Sequence, residues 1–335
     1  MTGTGVLDYY RGHSAVTDPR GYGYLFDGLP GELPALVRVA QGLFMHTFAA
    51  GLHGLPAGRD APEDGIRLVP GMLAAIMDLC DEPLTVARDP VRRLVGNCRQ
   101  PAVLLAAMLR DQGIPARKRV GFARYLPGPC ACIHEITQYW DAGEGRWKLA
   151  DPGNDELATA SQRAFFASAG QPHRAGYDTL DLGPEDFVLA PAAWRQCRAG
   201  HASPSEFGYG DNRGTRWLRQ TVLQDLDALN KAELCSADSW GGPLAGQPAS
   251  PPDGSPRYLD RAETTPAEAR FLDQMAELAS DPDRHFSELR RRYAGSAWGQ
   301  GVQDKLSKLA ATPPGGQKPP GAIAQQRPCP LRPLP

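Results

Sequence analysis

Apolar positions over residues 102–109 fall at helical spacing, with Leu104, Leu105, Met108 and Leu109 forming the stripe. Ahead of them Asn97 can cap, and Pro101 fits the first turn, where a missing N–H costs nothing. Behind them Gly113 offers a left-handed stop before Pro115, so the pattern predicts one helix opened by Cys98. The period then changes to two. Over residues 117–126 Val120 and Phe122 alternate with Arg119 and Gly121, which predicts a half-buried strand. A Pro-Gly-Pro turn at 127–129 leads into a second strand over 132–140, whose His134, Ile136, Gln138 and Trp140 share one face. A third strand over 146–151 puts Trp147, Leu149 and Asp151 on one face.

On either side of this core the pattern is helical. Residues 30–52 read as one helix, with His46 and His53 seven apart and assigned to packing or capping. A short helix is expected over 72–79 and longer ones over 187–200 and 216–234, the last with Asp225 and Asp227 among its solvated positions. Thr265, Pro266 and Glu268 form a capping box that opens a helix striped by Phe271, Leu272, Met275 and Leu278, and helical patches follow at 286–293 and 302–309. Composition marks two breaks. Residues 246–257 are rich in Pro, Gly and Ser, and the last 24 residues hold eight prolines and few apolar clusters. The expected organisation is a main domain at 1–245, a linker at 246–257, a small helical segment at 258–311 and a disordered Pro-rich tail at 312–335.

Charge narrows the partners. With 335 residues and a formal net charge of −2, the chain offers no electrostatic reason to bind nucleic acid or an anionic membrane. It has no apolar run of spanning length and opens with neither a basic nor an apolar leader region, so a soluble, cytoplasmic protein is expected. Seven cysteines without paired spacing suit reduced thiols.

Cys98 is then the candidate for chemistry. The free N–H groups and dipole of a helix start favour thiolate and can hold a developing oxyanion. The chain order Cys98, His134, Asp151 suits attack on a carbonyl by the first, proton transfer by the second, and orientation of the imidazole by the third. A rival set exists. Cys130, Cys132 and His134 alternate along one strand, and with Cys98 they could bind zinc, although same-face strand neighbours about 7 Å apart suit shared coordination poorly. Cys130 or Cys132 could also cap an oxidised Cys98 as a mixed disulfide.

The Cys98 helix with its Gly-Ile-Pro-Ala-Arg ending at Arg117, the stretch HEITQYWD from His134, and RWKLADP through Asp151 together resemble the core of the transglutaminase-like superfamily. The flanks, including DYYRGHSAVTDP and residues 207–234, resemble a poorly characterised bacterial branch of it. The resemblance implies an α+β, papain-like fold in which a Cys-bearing helix packs against an antiparallel sheet, with additional helices. It implies a Cys-His-Asp triad at Cys98, His134 and Asp151 and no cofactor. The reaction implied is acyl transfer to an amine or to water, from a small-molecule, peptide or carrier-bound acyl substrate. Two positions depart from the branch: Glu135 follows the histidine where an aromatic is usual nearby, and Gln138 takes a position usually held by Glu. That leaves a non-catalytic binding module on the same fold as the other class of function.

Overall fold

The computed structural model describes residues 3–50, 66–126, 128–160, 164, 176–209, 212–235 and 264–311. The linker at 246–257, the tail at 312–335 and His53 lie outside them. The chain opens with α1 (Gly3–Arg11) and α2 (Leu33–Leu43), which runs straight into β1 (Phe44–His46). After α3 (Val69–Leu79) comes β2 (Leu94–Gly96), which pairs with β1 in parallel and places His46 opposite Gly96. Then follow α4 (Arg99–Asp111), β3 (Ala116–Ala123), β4 (Ala131–Asp141) and β5 (Arg146–Ala150). The later elements are β6 (Phe187–Leu189), α5 (Ala190–Arg198), β7 (Phe207–Tyr209), β8 (Asn212–Arg213), α6 (Thr215–Leu229), α7 (Pro266–Ser280), α8 (Phe286–Gly295) and α9 (Ala297–Ala311). The sheet order is β6-β3-β4-β7-β8, with β5 also on β4. Every pairing in it is antiparallel except β4 with β7.

This is the α+β architecture expected: α4, the helix that Cys98 opens, packs on β3 and β4. Gly113 ends that helix at φ +75°, with the N–H groups of Gly113 and Ile114 donating to the carbonyls of Arg110 and Leu109. Only a residue free of a Cβ takes that conformation without strain. One apolar core joins α4 to α2, α3, Tyr139 and Ala150; a second joins Phe122, Val188 and Phe207 to α5, α6, α7 and α8. The capping box at Thr265 and Glu268 forms as expected.

Four expectations change. Residues 187–189 of the helix expected over 187–200 form β6, drawn into the sheet by pairing with β3. The helix over 30–52 stops at Leu43, because Phe44–His46 pairs with β2 and draws the backbone out to extended dihedrals. β3 is buried on every residue rather than half-buried, since α4, α5 and α6 all pack on it. Its Arg117, Lys118 and Arg119 are therefore inside the protein; Glu135 and Asp225, the countercharges of Lys118 and Arg119, are inside too, and Asp283, which pairs with Arg117, is partly exposed. Arg119 makes a bidentate pair with Asp225, whose Oδ1 also accepts from Val120 N. Asp225 and Asp227, expected in solvent, are fully buried; Asp227 Oδ1 accepts from Tyr293 Oη and Trp298 Nε1 at 2.8 and 2.7 Å. Among the described residues no helix is long and apolar enough to cross a membrane.

Candidate active site

Cys98 stands between β2 and α4 as the residue that caps the helix, and it is half-buried. Its neighbours fix it. Asn97 Oδ1 accepts from Arg99 N at 2.9 Å, and Gln100 Oε1 reaches back to Asn97 N at 3.0 Å. The Arg99 side chain is fully buried and donates to the carbonyls of Glu233 and Arg67, which ties the helix start to two distant segments. Among the described residues no hydrogen bond occupies the Cys98 backbone N–H.

His134 lies mid-way along β4, opposite Gly121 of β3. A Cβ at Gly121 would sit 2.4 Å from Val188 O and 2.7 Å from the Phe187 ring, so glycine is what lets β6 close on this point. Phe187 then edges the imidazole at 6.5 Å between ring centroids and Tyr125 does so at 6.2 Å, with Ile136 in the same apolar cluster. The inward, apolar setting expected for the histidine face is present. Asp151 follows β5 directly, fully buried, with its N–H donated to Thr179 O at 2.7 Å.

The three residues meet. His134 Nε2 is 2.9 Å from Asp151 Oδ2, and Cys98 is close enough to bear on the charge of the same imidazole. Asp151 is saturated: Oδ2 also accepts from Tyr125 Oη at 2.7 Å and Oδ1 from Gly153 N at 2.9 Å. Burial opposes charge on His134, but Asp151 and Cys98 outweigh it and hold its pKa well above the ordinary histidine range. Burial likewise opposes charge on Asp151, and His134, Tyr125 and Gly153 N–H reverse that, so the carboxyl titrates below its usual range. Tyr125 is driven far up by burial and by Asp151, which fixes it as a neutral donor.

The sequence does not single out Tyr125, and its pattern assigns His46 to packing or capping. A small cavity of about 10 Å³ is lined by Gln41, His46, Asn97, Pro101 and Gly153 among others. The position of a Cβ on Gly153 would be 3.7 Å from Cys98 Cα, so Gly153 in the cavity wall adjoins the Cys98 backbone. Burial, then His134, pushes the His46 pKa down to about 3, with Asp151 opposing, so its imidazole is neutral.

The alternative zinc set does not assemble. Among the described residues no three His, Cys, Asp or Glu side chains are grouped so as to hold a metal, because His134 is engaged by Asp151 and Cys98. Cys132 is a buried thiol pushed up to about 12 by burial and by Cys98 and Cys130. Gln138 is no auxiliary acid beside the thiol; its Oε1 accepts from Arg117 Nε and Arg119 Nη1 at 2.7 and 3.0 Å, inside the buried charge layer.

Neither the curated proteins nor the solved structures contain a match to this chain. A family model described as the transglutaminase-like superfamily matches residues 82–152. That span runs from just ahead of β2 to just past Asp151 and contains Cys98, His134 and Asp151; it is a transglutaminase-like superfamily domain.

Proposed function

We propose that this chain is a thiol enzyme that transfers an acyl group by way of a Cys98 thioester. One observation carries the reading: an imidazole held by a buried carboxylate at 2.9 Å, with a half-buried thiol at a helix start close enough to bear on its charge. In the first step Cys98 sulfur bonds to a carbonyl carbon of an amide, ester or thioester, and the thiol proton passes to His134. The carbonyl oxygen takes the negative charge until the bond to the leaving group breaks, and His134 returns the proton to that group. In the second step an amine or water loses a proton to His134 and attacks the thioester, and the proton goes back to Cys98 as its sulfur departs. An amine acceptor makes a new amide and water makes a free acid. Asp151 holds the imidazole in the tautomer this exchange needs, and Tyr125 and Gly153 hold Asp151.

The full chain is mixed with p-nitrophenyl acetate and followed by p-nitrophenolate release and peptide mass spectrometry. The expected result is a stoichiometric burst with acetyl on Cys98, absent in Cys98→Ala and in His134→Ala. Hydroxylamine in the second step reports an amine acceptor as acetohydroxamate. Acetyl spread over surface lysines with no burst would sink the reading and favour a binding module on the same fold.

A further inference from the structure

We infer that the groove between the turn Arg20–Phe26 and the loop after α3 is a docking site for the chain's own Pro-rich tail, held through its segment 327–335. The inference is independent of the acyl-transfer reading.

The groove has a volume of about 360 Å³. Leu25 and Leu29 line it from the turn and just beyond, and Met77 and Leu84 from α3 and the loop behind it. Tyr24 also lines it, and at 62% exposed it is the barest large apolar side chain among the described residues. Asp27, Asp81 and Glu82 are in the lining too, and among the described residues none of the three is paired with a basic side chain. An apolar and aromatic groove with unneutralised carboxylates suits an extended segment that carries both apolar and cationic side chains.

Three facts select the tail as that segment. Charge is the first: residues 312–335 contain Lys318, Arg327 and Arg332 and no acidic residue. Pattern is the second. Pro328, Pro330, Pro333 and Pro335 favour the polyproline II form, whose three residues per turn would set Pro328, Leu331 and Leu334 on one apolar edge and Arg332 on another. Segments of this kind dock on aromatic-lined surfaces with little entropy left to lose. Reach is the third. Arg20 Nη1 donates to Ala310 O at 3.1 Å, which holds the last turn of α9 against the turn that forms one wall of the groove. Val302 and Leu306 of that helix share a core with Leu25, Leu29 and Met77. Arg327 follows Ala311 by 16 positions. At about 3.1 Å per residue that is up to ~50 Å of extended chain, ample for a groove that begins beside the helix end.

Cys329, inside the segment, is the probe, and the experiment uses the full chain. Its alkylation by iodoacetamide is followed by peptide mass spectrometry and divided by the rate in a synthetic peptide of residues 312–335. Docking crowds the thiol and sets carboxylates near it, and both slow the reaction. Because a tethered segment has an effective concentration on the order of 1 mM, the wild-type ratio is expected to be about one-tenth. In Tyr24→Ala and in Asp81→Lys/Glu82→Lys the ratio is expected to return to within about twofold of the free peptide. Arg327→Glu/Arg332→Glu, made in chain and peptide alike, is expected to abolish the protection, and its combination with Asp81→Lys/Glu82→Lys to restore at least half of it. A wild-type rate equal to that of the peptide would overturn the inference. Protection that survives the groove variants would put the segment elsewhere, and protection lost on dilution of the protein would mean that a second copy supplies it; either result overturns the docking of the tail in its own groove.

Discussion

The β3–β4 pair bears two buried polar clusters, and they differ in what each leaves available. Around His134 the groups are Asp151, Tyr125 and Cys98; around Gln138 they are Arg117, Lys118, Arg119, Glu135, Asp225 and Asp283. Both lie mostly out of water, with the half-buried Cys98 and the partly exposed Asp283 at their edges, and both hold charge. In the second cluster no side-chain polar atom of Arg117, Lys118, Arg119, Glu135, Gln138 or Asp225 lacks a partner, and the Arg117 guanidinium is further covered by Trp147 at 4.0 Å. In the first, the Cys98 thiol is half-buried, and a small cavity is lined by its chain neighbours Asn97 and Pro101. Buried ionisable groups by themselves therefore do not mark a site; the first cluster differs in holding a partly exposed thiol.

The comparison breaks most sharply at the two aspartates. Asp151→Asn keeps the shape but lets the histidine settle in the wrong tautomer, and acylation of Cys98 is expected to fall about 10³–10⁴-fold with the fold retained by circular dichroism. Loss of less than tenfold would mean that His134 is oriented by something else. Asp225→Ala works on the closed cluster. It leaves Arg119 buried and uncompensated, and urea unfolding is expected to show a loss of roughly 3–5 kcal/mol while acylation per folded molecule is unchanged. A loss no larger than a surface ion pair gives would mean that water reaches Arg119.

Much of the first cluster is legible in the sequence and little of the second. Cys98, His134 and Asp151 each sit at a place that local signals define: a capped helix start, a strand face of period two, and the end of a hairpin strand. The helix stop at Gly113 is local as well. The charge layer is not local, since Arg119 meets Asp225 across 106 positions and Arg117 meets Asp283 across 166. A pattern that reads charge as solvated assigns both aspartates to the surface, and only knowledge of what covers β3 reverses it. His46 escapes for a related reason. The run from Leu33 through Thr47 is compatible with one helix, and it is the pairing with Leu94–Gly96, far along the chain, that pulls Phe44–His46 into a strand.

His46 also gives the comparison a pH axis. Its pKa is about 3 in the folded protein against an ordinary value of 6.5. Between those values the unfolded chain takes up a proton that the folded chain refuses, so stability falls as pH falls through that window. His46→Gln removes this dependence. Relative to wild type the variant is expected to gain roughly 1–3 kcal/mol on moving from about pH 7.5 to about pH 4.5, measured by urea unfolding at both. Parallel behaviour of the two proteins would mean that His46 protonates in place, and the cavity wall would then be cationic in acid.

The finest test is Gln138→Glu, which adds a carboxylate to the closed cluster and none to the open one. Three cations, Arg117, Lys118 and Arg119, already face three carboxylates, Asp283, Glu135 and Asp225, so the layer is balanced before the change. A glutamate at 138 could accept from Arg117 and Arg119 as the glutamine does, and those bonds would be stronger for being charge-assisted. Against that stands the desolvation of one charge more than the layer can neutralise. The two effects oppose, and the expected change in unfolding free energy is about 1 kcal/mol or less. Acylation of Cys98 is expected to stay within about twofold, because the new charge faces arginines that are themselves held by Asp225 and Asp283. A tenfold change in acylation at unchanged stability would show that the layer reaches His134 through Ile136, one strand step away on the same face, and the two clusters would then have to be treated as one.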